Sequence, residues 1–388
     1  MRLARGMVGA AAAVLLGILA TGCTSATTPT TTTTTTLPPL PPQVYAYVTM
    51  IGTGTNIGIG HTVVPVNVSL GGTGAGTALA VGTYPDAIAI TPSGTRAYVT
   101  NYTSNSVTPI DLQTGKALPS IALGAAAGPA GIAIAPDGDT AYVTDAGVSG
   151  TLGDTLTPID LLTGKTLPAI TVGPGPEGIA ITPDGARAYV ADAGAFVPGQ
   201  TGSIGSTVTP VNLTTGKALP AIPVGNAPAA VAITPGGSTA LVANVNSGSV
   251  TPIDIATDKA GSPISVVGGP VGITIPSTEP TTAYVAVGVS NESATGNVTP
   301  IDLTTDTAGT PIAVGKNPQS IAVSPDGSTL WVVCYDTQTL VPINTKTLKA
   351  GAAIHLPGGP YAIAVTTQAQ AGASTSTTAT TKGAKKKS

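Results

Sequence analysis

The chain is expected to fold as an all-β, seven-bladed β-propeller with four antiparallel strands per blade. Three observations predict this. Ala97-Tyr98-Val99-Thr100-Asn101 returns as Ala141-Tyr142-Val143-Thr144-Asp145 and Ala188-Tyr189-Val190-Ala191-Asp192, with further copies starting at Ala46, Ala240, Ala283 and Leu330. The seven starts are spaced by about 43 to 52 residues, the length of one propeller blade. Each repeat breaks into four short β-rich runs bounded by Gly, Pro, Asn and Asp, with no helical periodicity between them.

The elements follow in chain order. Arg2, Arg5 and the uncharged apolar run from Met7 to Ala20 read as an export signal. Ala20-Thr21-Gly22-Cys23 resembles the lipobox of bacterial lipoproteins, with Ala20 where Leu is preferred. The resemblance implies a signal peptide over 1–22 and acyl chains on Cys23, which would hold the protein to the outer face of the cell membrane. An ordinary signal peptide or an uncleaved anchor is the alternative, although the run is short for a span. Residues 23–43 are Thr and Pro after the cysteine and read as an extended stalk. Residues 44–367 hold the repeats, and 368–388 form an Ala/Thr/Ser tail, expected to be disordered, with a basic end. Cys334 has no intrachain partner once Cys23 carries lipid, and reads as a small semi-buried apolar residue.

The second repeat shows the pattern within a blade. Strand a is Ala87 to Thr91, b is Ala97 to Thr100, c is Val107 to Leu112 and d is Leu118 to Leu123. Inner strands such as Gly131 to Ala135 alternate Ile with Gly or Ala, so a large face can meet a small face of the next blade. Strand c carries a proline in every repeat: Pro65, Pro109, Pro158, Pro210, Pro252, Pro300 and Pro342. Proline lacks an N–H, so that gap should face strand d, leaving it short or irregular. Strand d itself carries Pro119, Pro168 and Pro220. The last strand a, Tyr361 to Thr366, has no b strand after it and is expected to close the ring beside Ala46 to Thr49.

Tyr98-Val99-Thr100-Asn101, the Pro-Asp-Gly turns at 136–138, 183–185 and 325–327, and the Ile-Asp strand ends together resemble the YVTN family of β-propeller repeats over about Val44 to Thr367. The resemblance implies the fold and says little of activity. Members include surface-layer-type and exported proteins, and related seven-bladed propellers include sugar lactonases.

Two unlike faces are expected. The b–c loops differ in length, those from Met50 to Thr62, Ala146 to Thr155 and Ala193 to Thr207 being long, which marks that face for recognition. The propeller holds all eighteen acids and nine of the fifteen basic residues, a net charge of −9. Asp111, Asp160, Asp254 and Asp302, with Asn67, Asn212 and Asn344, end strand c and should accept hydrogen bonds from the next turn, as should Asp137, Asp184 and Asp326 in theirs. Of the rest, Asp86, Asp145, Asp154, Glu177, Asp192, Glu292 and Asp336 map to the variable face, opposed by Lys316. Asp86, Glu177, Gln319 and Tyr361 each follow the proline that leads into strand a, so they should ring the mouth of the central channel. Asp145 and Asp192 are candidate acids of the loop face.

An acidic mouth suits a metal ion, a polyamine or a basic protein patch and opposes nucleic acid. The expected function is a monomeric, non-catalytic binding or scaffold module at the cell surface, without cofactor. A structural envelope or surface-layer-like protein is one alternative. A propeller hydrolase or lyase such as a lactonase is another, with His61 and His355 as the available bases.

Overall fold

The computed structural model describes residues 42–368, apart from 54–59, 70–73, 126, 149–150, 195–203 and 289–294. Residues 1–41, which include the expected signal, Cys23 and most of the expected stalk, lie outside the described residues, as do Glu292 and the residues after Gln368; Gln43, assigned to the stalk, instead opens the first strand and pairs with Gln368. Seven sheets of antiparallel strands form a ring, a seven-bladed β-propeller. Blade 1 joins the two ends of the chain, with Pro360–Gln368 innermost, then Gln43–Met50 and Thr62–Asn67. Blades 2 to 7 start at Pro85, Pro129, Pro176, Pro228, Gly269 and Pro318.

The closing strand is longer than the sequence pattern indicates. It runs to Gln368, which pairs with Gln43. The Gln368 side chain donates to the Tyr47 hydroxyl at 2.6 Å and to the Leu112 carbonyl of blade 2 at 2.8 Å. Gln368 is therefore part of the ring and not the first residue of a tail.

The recurring proline explains the outer edge. In strand c the Pro109 carbonyl accepts from Leu118 of the outer strand at 2.8 Å, and the prolines of the other six blades do the same. A strand residue points its nitrogen and its carbonyl to the same side, so the missing N–H also faces outward. The outer strand responds by splitting. In blade 2 it survives as Lys116–Ala117 and Ile121–Ala122, and pairing lapses between them opposite Thr108 and Pro109. On the inner side each proline faces a large ring or chain: Tyr47, Tyr98, Tyr142, Tyr189, Leu241, Tyr284 or Trp331. The inner ladder keeps its bonds, while the outer edge is too broken to template another strand.

The motif's alternation builds the seams between blades. In strand b of blade 2, Ala97 and Val99 pack with Tyr47 and Val63 of blade 1. Tyr98 points the other way and packs with Ala141, Val143 and Ile159 of blade 3. A large face thus meets a small one around the ring. Thr100 shares the Tyr98 face, and its buried hydroxyl donates to the Ala130 carbonyl of blade 3 at 2.7 Å while accepting from Ala87 N–H at 2.9 Å. Thr144 repeats this, donating to the Glu177 carbonyl and accepting from Gly131 N–H, both at 2.7 Å. Thr144→Val keeps the shape but strips both backbone partners, so it should destabilise by about 1–3 kcal/mol. Urea melts of the two proteins read this, and an unchanged midpoint would remove the threonine's assigned role.

Candidate binding site at the channel mouth

A β-bulge aims the mouth residues. Each inner strand loses register just after its leading proline: between Pro85 and Ile88, Pro129 and Ile132, Pro176 and Ile179, Pro228 and Ala230, Pro270 and Gly272, and Pro318 and Ser320. Blade 1 has its irregularity opposite, between Val48 and Met50. A bulge turns its extra residue off the ladder and re-aims the side chain. The seven residues after the leading prolines are Tyr361, Asp86, Ala130, Glu177, Ala229, Val271 and Gln319, in ring order from blade 1.

All seven line one cavity of about 520 Å³. The structure brings Asp86, Glu177, Gln319 and Tyr361 together in it. Ala130 leaves room between the two acids, and Gly131, Gly178, Gly272, Ile273 and Ile321 line it further down. Gln319 is held by its own blade, donating to Asn317 Oδ1 at 2.6 Å. Asp86 and Glu177 are different. Neither carboxyl has a hydrogen bond or ion pair among the described residues. Burial pushes the Asp86 carboxyl well above the usual carboxylate range, and the nearby Glu177 charge adds to the effect. Burial alone brings Glu177 up to about 7. The Asp86 charge, followed by burial, raises the Tyr361 phenol well above its ordinary value.

A tyrosine wall, not foreseen from the sequence, stands beside Asp86. The Tyr361 ring meets Tyr84 edge-on at 6.1 Å between centroids, and Tyr84 meets Tyr102 at 5.6 Å. Tyr84 immediately precedes the leading proline and holds φ at +55°. Gly128 and Gly175 take that conformation in blades 3 and 4, where a Cβ would collide with the carbonyls of Gly147 and Gly194. Only glycine accepts such backbone freely. Blades 5 and 7 place Ala227 and Asn317 there at φ +52°, so a large aromatic at this position was the available signal.

Asp145 and Asp192 are not surface acids. Both are buried, at 5 % and 0 % exposure. Asp145 Oδ2 accepts from Thr155 at 2.9 Å and Thr157 at 2.6 Å, and Asp192 Oδ2 from Thr207 at 2.9 Å and Thr209 at 2.8 Å. Asn101 and Asn244 hold the same place in blades 2 and 5, where the amide donates to Thr108 and Thr251, both at 2.9 Å. The fifth motif residue thus ties strand b to strand c inside the blade. Burial raises Asp145 and brings Asp192 up to about 6. In blade 7 the position is Cys334, fully buried, with its thiol pushed up to about 11 by burial.

The remaining candidates are dispersed. Asp154 and Asp336 are exposed. Asp111, Asp160, Asp254 and Asp302 accept from the backbone of the turns that follow, as do Asn212 and Asn344. Asp137, Asp184 and Asp326 cap their own turns. His61 and His355 are exposed, neither lines the cavity, and His355 belongs to an outer strand.

No protein-family model and no curated protein matches the chain, so the YVTN resemblance rests on the repeat motifs themselves. Solved structures share the architecture. A chain of Kuenenia stuttgartiensis hydrazine synthase is 20% identical, with a TM-score of 0.62, over 74% of this chain and 96% of that one. A functionally unknown protein from Desulfotomaculum acetoxidans DSM 771 is 15% identical, with a TM-score of 0.65, over 83% of this chain and 98% of that one. At such identities the likeness is one of fold, and the chain is similar to these proteins as a seven-bladed propeller.

Proposed function

We propose that this is a non-catalytic binding module of the YVTN type, tethered outside the cell through lipid on Cys23, whose central cavity takes a positively charged ligand. One observation carries the reading: Asp86 and Glu177 face a common cavity, and among the described residues no cation and no hydrogen-bond donor meets either carboxyl. Both residues are half-buried, and a carboxylate partly withdrawn from water and left unmatched is destabilising unless it is neutral or finds a counter-charge. Here the counter-charge would come from the ligand. The cavity's size falls within the range of about 300–1,000 Å³ common for small-molecule sites.

Ligand that binds only the folded state raises the melting temperature. In thermal melts of the intact chain at pH 8, at least one cation from a set of spermidine, simple ammonium ions, calcium and magnesium should raise the midpoint saturably. The double variant Asp86→Asn/Glu177→Gln should abolish that response while melting cooperatively. A wild-type chain indifferent to every cation would end this reading.

A further inference from the structure

Positive charge alone leaves the body of the ligand undefined, and the rest of the cavity wall defines it. Among the described residues there is no group of three or more His, Cys, Asp or Glu side chains able to hold a metal. A calcium ion takes about six to eight oxygens, and magnesium needs near-octahedral oxygen coordination. Asp86 and Glu177 are the two carboxylates of the lining, and the only other side-chain oxygens among the described lining residues are those of Gln319, Ser320 and Tyr361, the first two on blade 7. What the wall provides instead is apolar surface and an aromatic flank.

The two are on different sides. Ala229, Val271, Ile273 and Ile321 make an apolar sector contributed by blades 5 to 7. Tyr361 is the ring that lines the cavity, next to Asp86 in ring order, and it is backed by contact with Tyr84, which in turn meets Tyr102. Aromatic faces are electron-rich and attract ammonium groups, most strongly where water is excluded. Tyr84 keeps its ring there in a left-handed backbone that bulky residues rarely adopt.

We infer that the cavity takes a small organic ammonium ion, its nitrogen held by the Asp86 and Glu177 carboxyls beside the tyrosine wall and its apolar body against Val271, Ile273 and Ile321. This deepens the binding reading above and rests on it. An alkylammonium matches both halves of the wall: its N–H groups or charged methyls satisfy the carboxyls and rings, and its carbon chain covers the apolar sector. A hydrated metal ion would leave that sector wet. The same chemistry could arrive as a free amine or as the lysine side chain of a partner.

The test is isothermal titration of the intact chain at pH 8 with butylammonium, tetramethylammonium, butanol, calcium and the peptide amide Gly-Lys-Gly. Both ammonium ions should bind saturably, while butanol and calcium should not. Asp86→Asn/Glu177→Gln should remove ammonium binding. Tyr361→Leu should weaken it about fivefold or more, and Tyr361→Phe should retain it, because the ring face and not the hydroxyl is used. Since Tyr361 lies in the closing strand, Tyr102→Leu is the second variant, with a smaller loss in the same direction. Gly-Lys-Gly binding more tightly than butylammonium upholds the ammonium chemistry and assigns its source to a protein. Calcium binding as tight as butylammonium, untouched by either Tyr→Leu change, overturns the ammonium assignment and leaves the cation reading standing. Absence of binding by every cation overturns both.

Discussion

A chain that stops at Gly359 should fail to fold, and one that stops at Gln368 should melt like the intact protein. The strand lost in the first case, Pro360–Gln368, is the inner strand of blade 1 and pairs with Gln43–Met50 along its length. Its two faces serve two seams. Ala362 and Ala364 pack with Tyr47, Ala97 and Val99 toward blade 2, and Ile363 and Val365 pack with Trp331, Val333 and Leu340 toward blade 7. Burial of a side chain the size of Ile363 contributes about 1.5–3 kcal/mol, before half-buried Val365 or any ladder bond is counted. Total stabilities are only about 5–15 kcal/mol, and a propeller lacking one inner strand exposes both neighbours at once. Circular dichroism melts should show no cooperative transition for the shorter chain. A stop after Thr367 removes both Gln368 hydrogen bonds and should lower stability by about 1–2 kcal/mol. A cooperative, native-like melt of the chain ending at Gly359 would refute this account of closure.

Asp192→Asn should stabilise the protein at pH 8 and do nothing at pH 4. Asp192 is fully buried, and its carboxyl lies at about 6 against an ordinary 3.8. Between those values the folded form holds a proton that the unfolded chain has released. Stability therefore falls as pH rises from about 4 to 6 and stays reduced above. The full penalty is about 3 kcal/mol by the size of the shift. Asparagine already occupies this place in blades 2 and 5, donating to the matching threonine. The substitution should thus recover about 1–3 kcal/mol at pH 8, and Asp145→Asn should act in the same direction. Glu177 keeps a separate fall in stability between about 4.5 and 7 in either variant. Chemical denaturation at pH 4, 6 and 8 measures all of this. Destabilisation by Asp192→Asn at pH 8 would mean that the carboxylate is matched inside the blade.

The ring was legible because its information is repeated. A large side chain (Tyr, Leu241 or Trp331), then Val and then Thr, Ala or Val333 appear at one phase of each repeat, and strand c has its proline in every one. The mouth was legible for a related reason: a leading proline fixes where strand a begins, so the next residue can be compared across blades. Two things were hidden. Asp145 and Asp192 were assigned to a loop because they end the motif, although Asn101 and Asn244 at the same phase already indicated an interior hydrogen-bonding place. The tyrosine wall was hidden because Tyr84 and Tyr102, although joined at the open end of one hairpin, meet Tyr361 of the closing blade only through tertiary packing.

The threonine bridges have a mechanical consequence. Thr100 and Thr144 pin the inner strand of blade 3 and then that of blade 4 to the blade before, whereas the same motif position is Ala191, Ala243, Ala286 and Val333 in blades 4 to 7. The two bridges run in series from blade 2 through blade 3 to blade 4, so the strands that carry Asp86 and Glu177 are tied to one another by directional bonds as well as by packing. The seam from blade 4 to blade 5 is tied differently, at its outer side, where Arg187 and Tyr189 both reach Asp258.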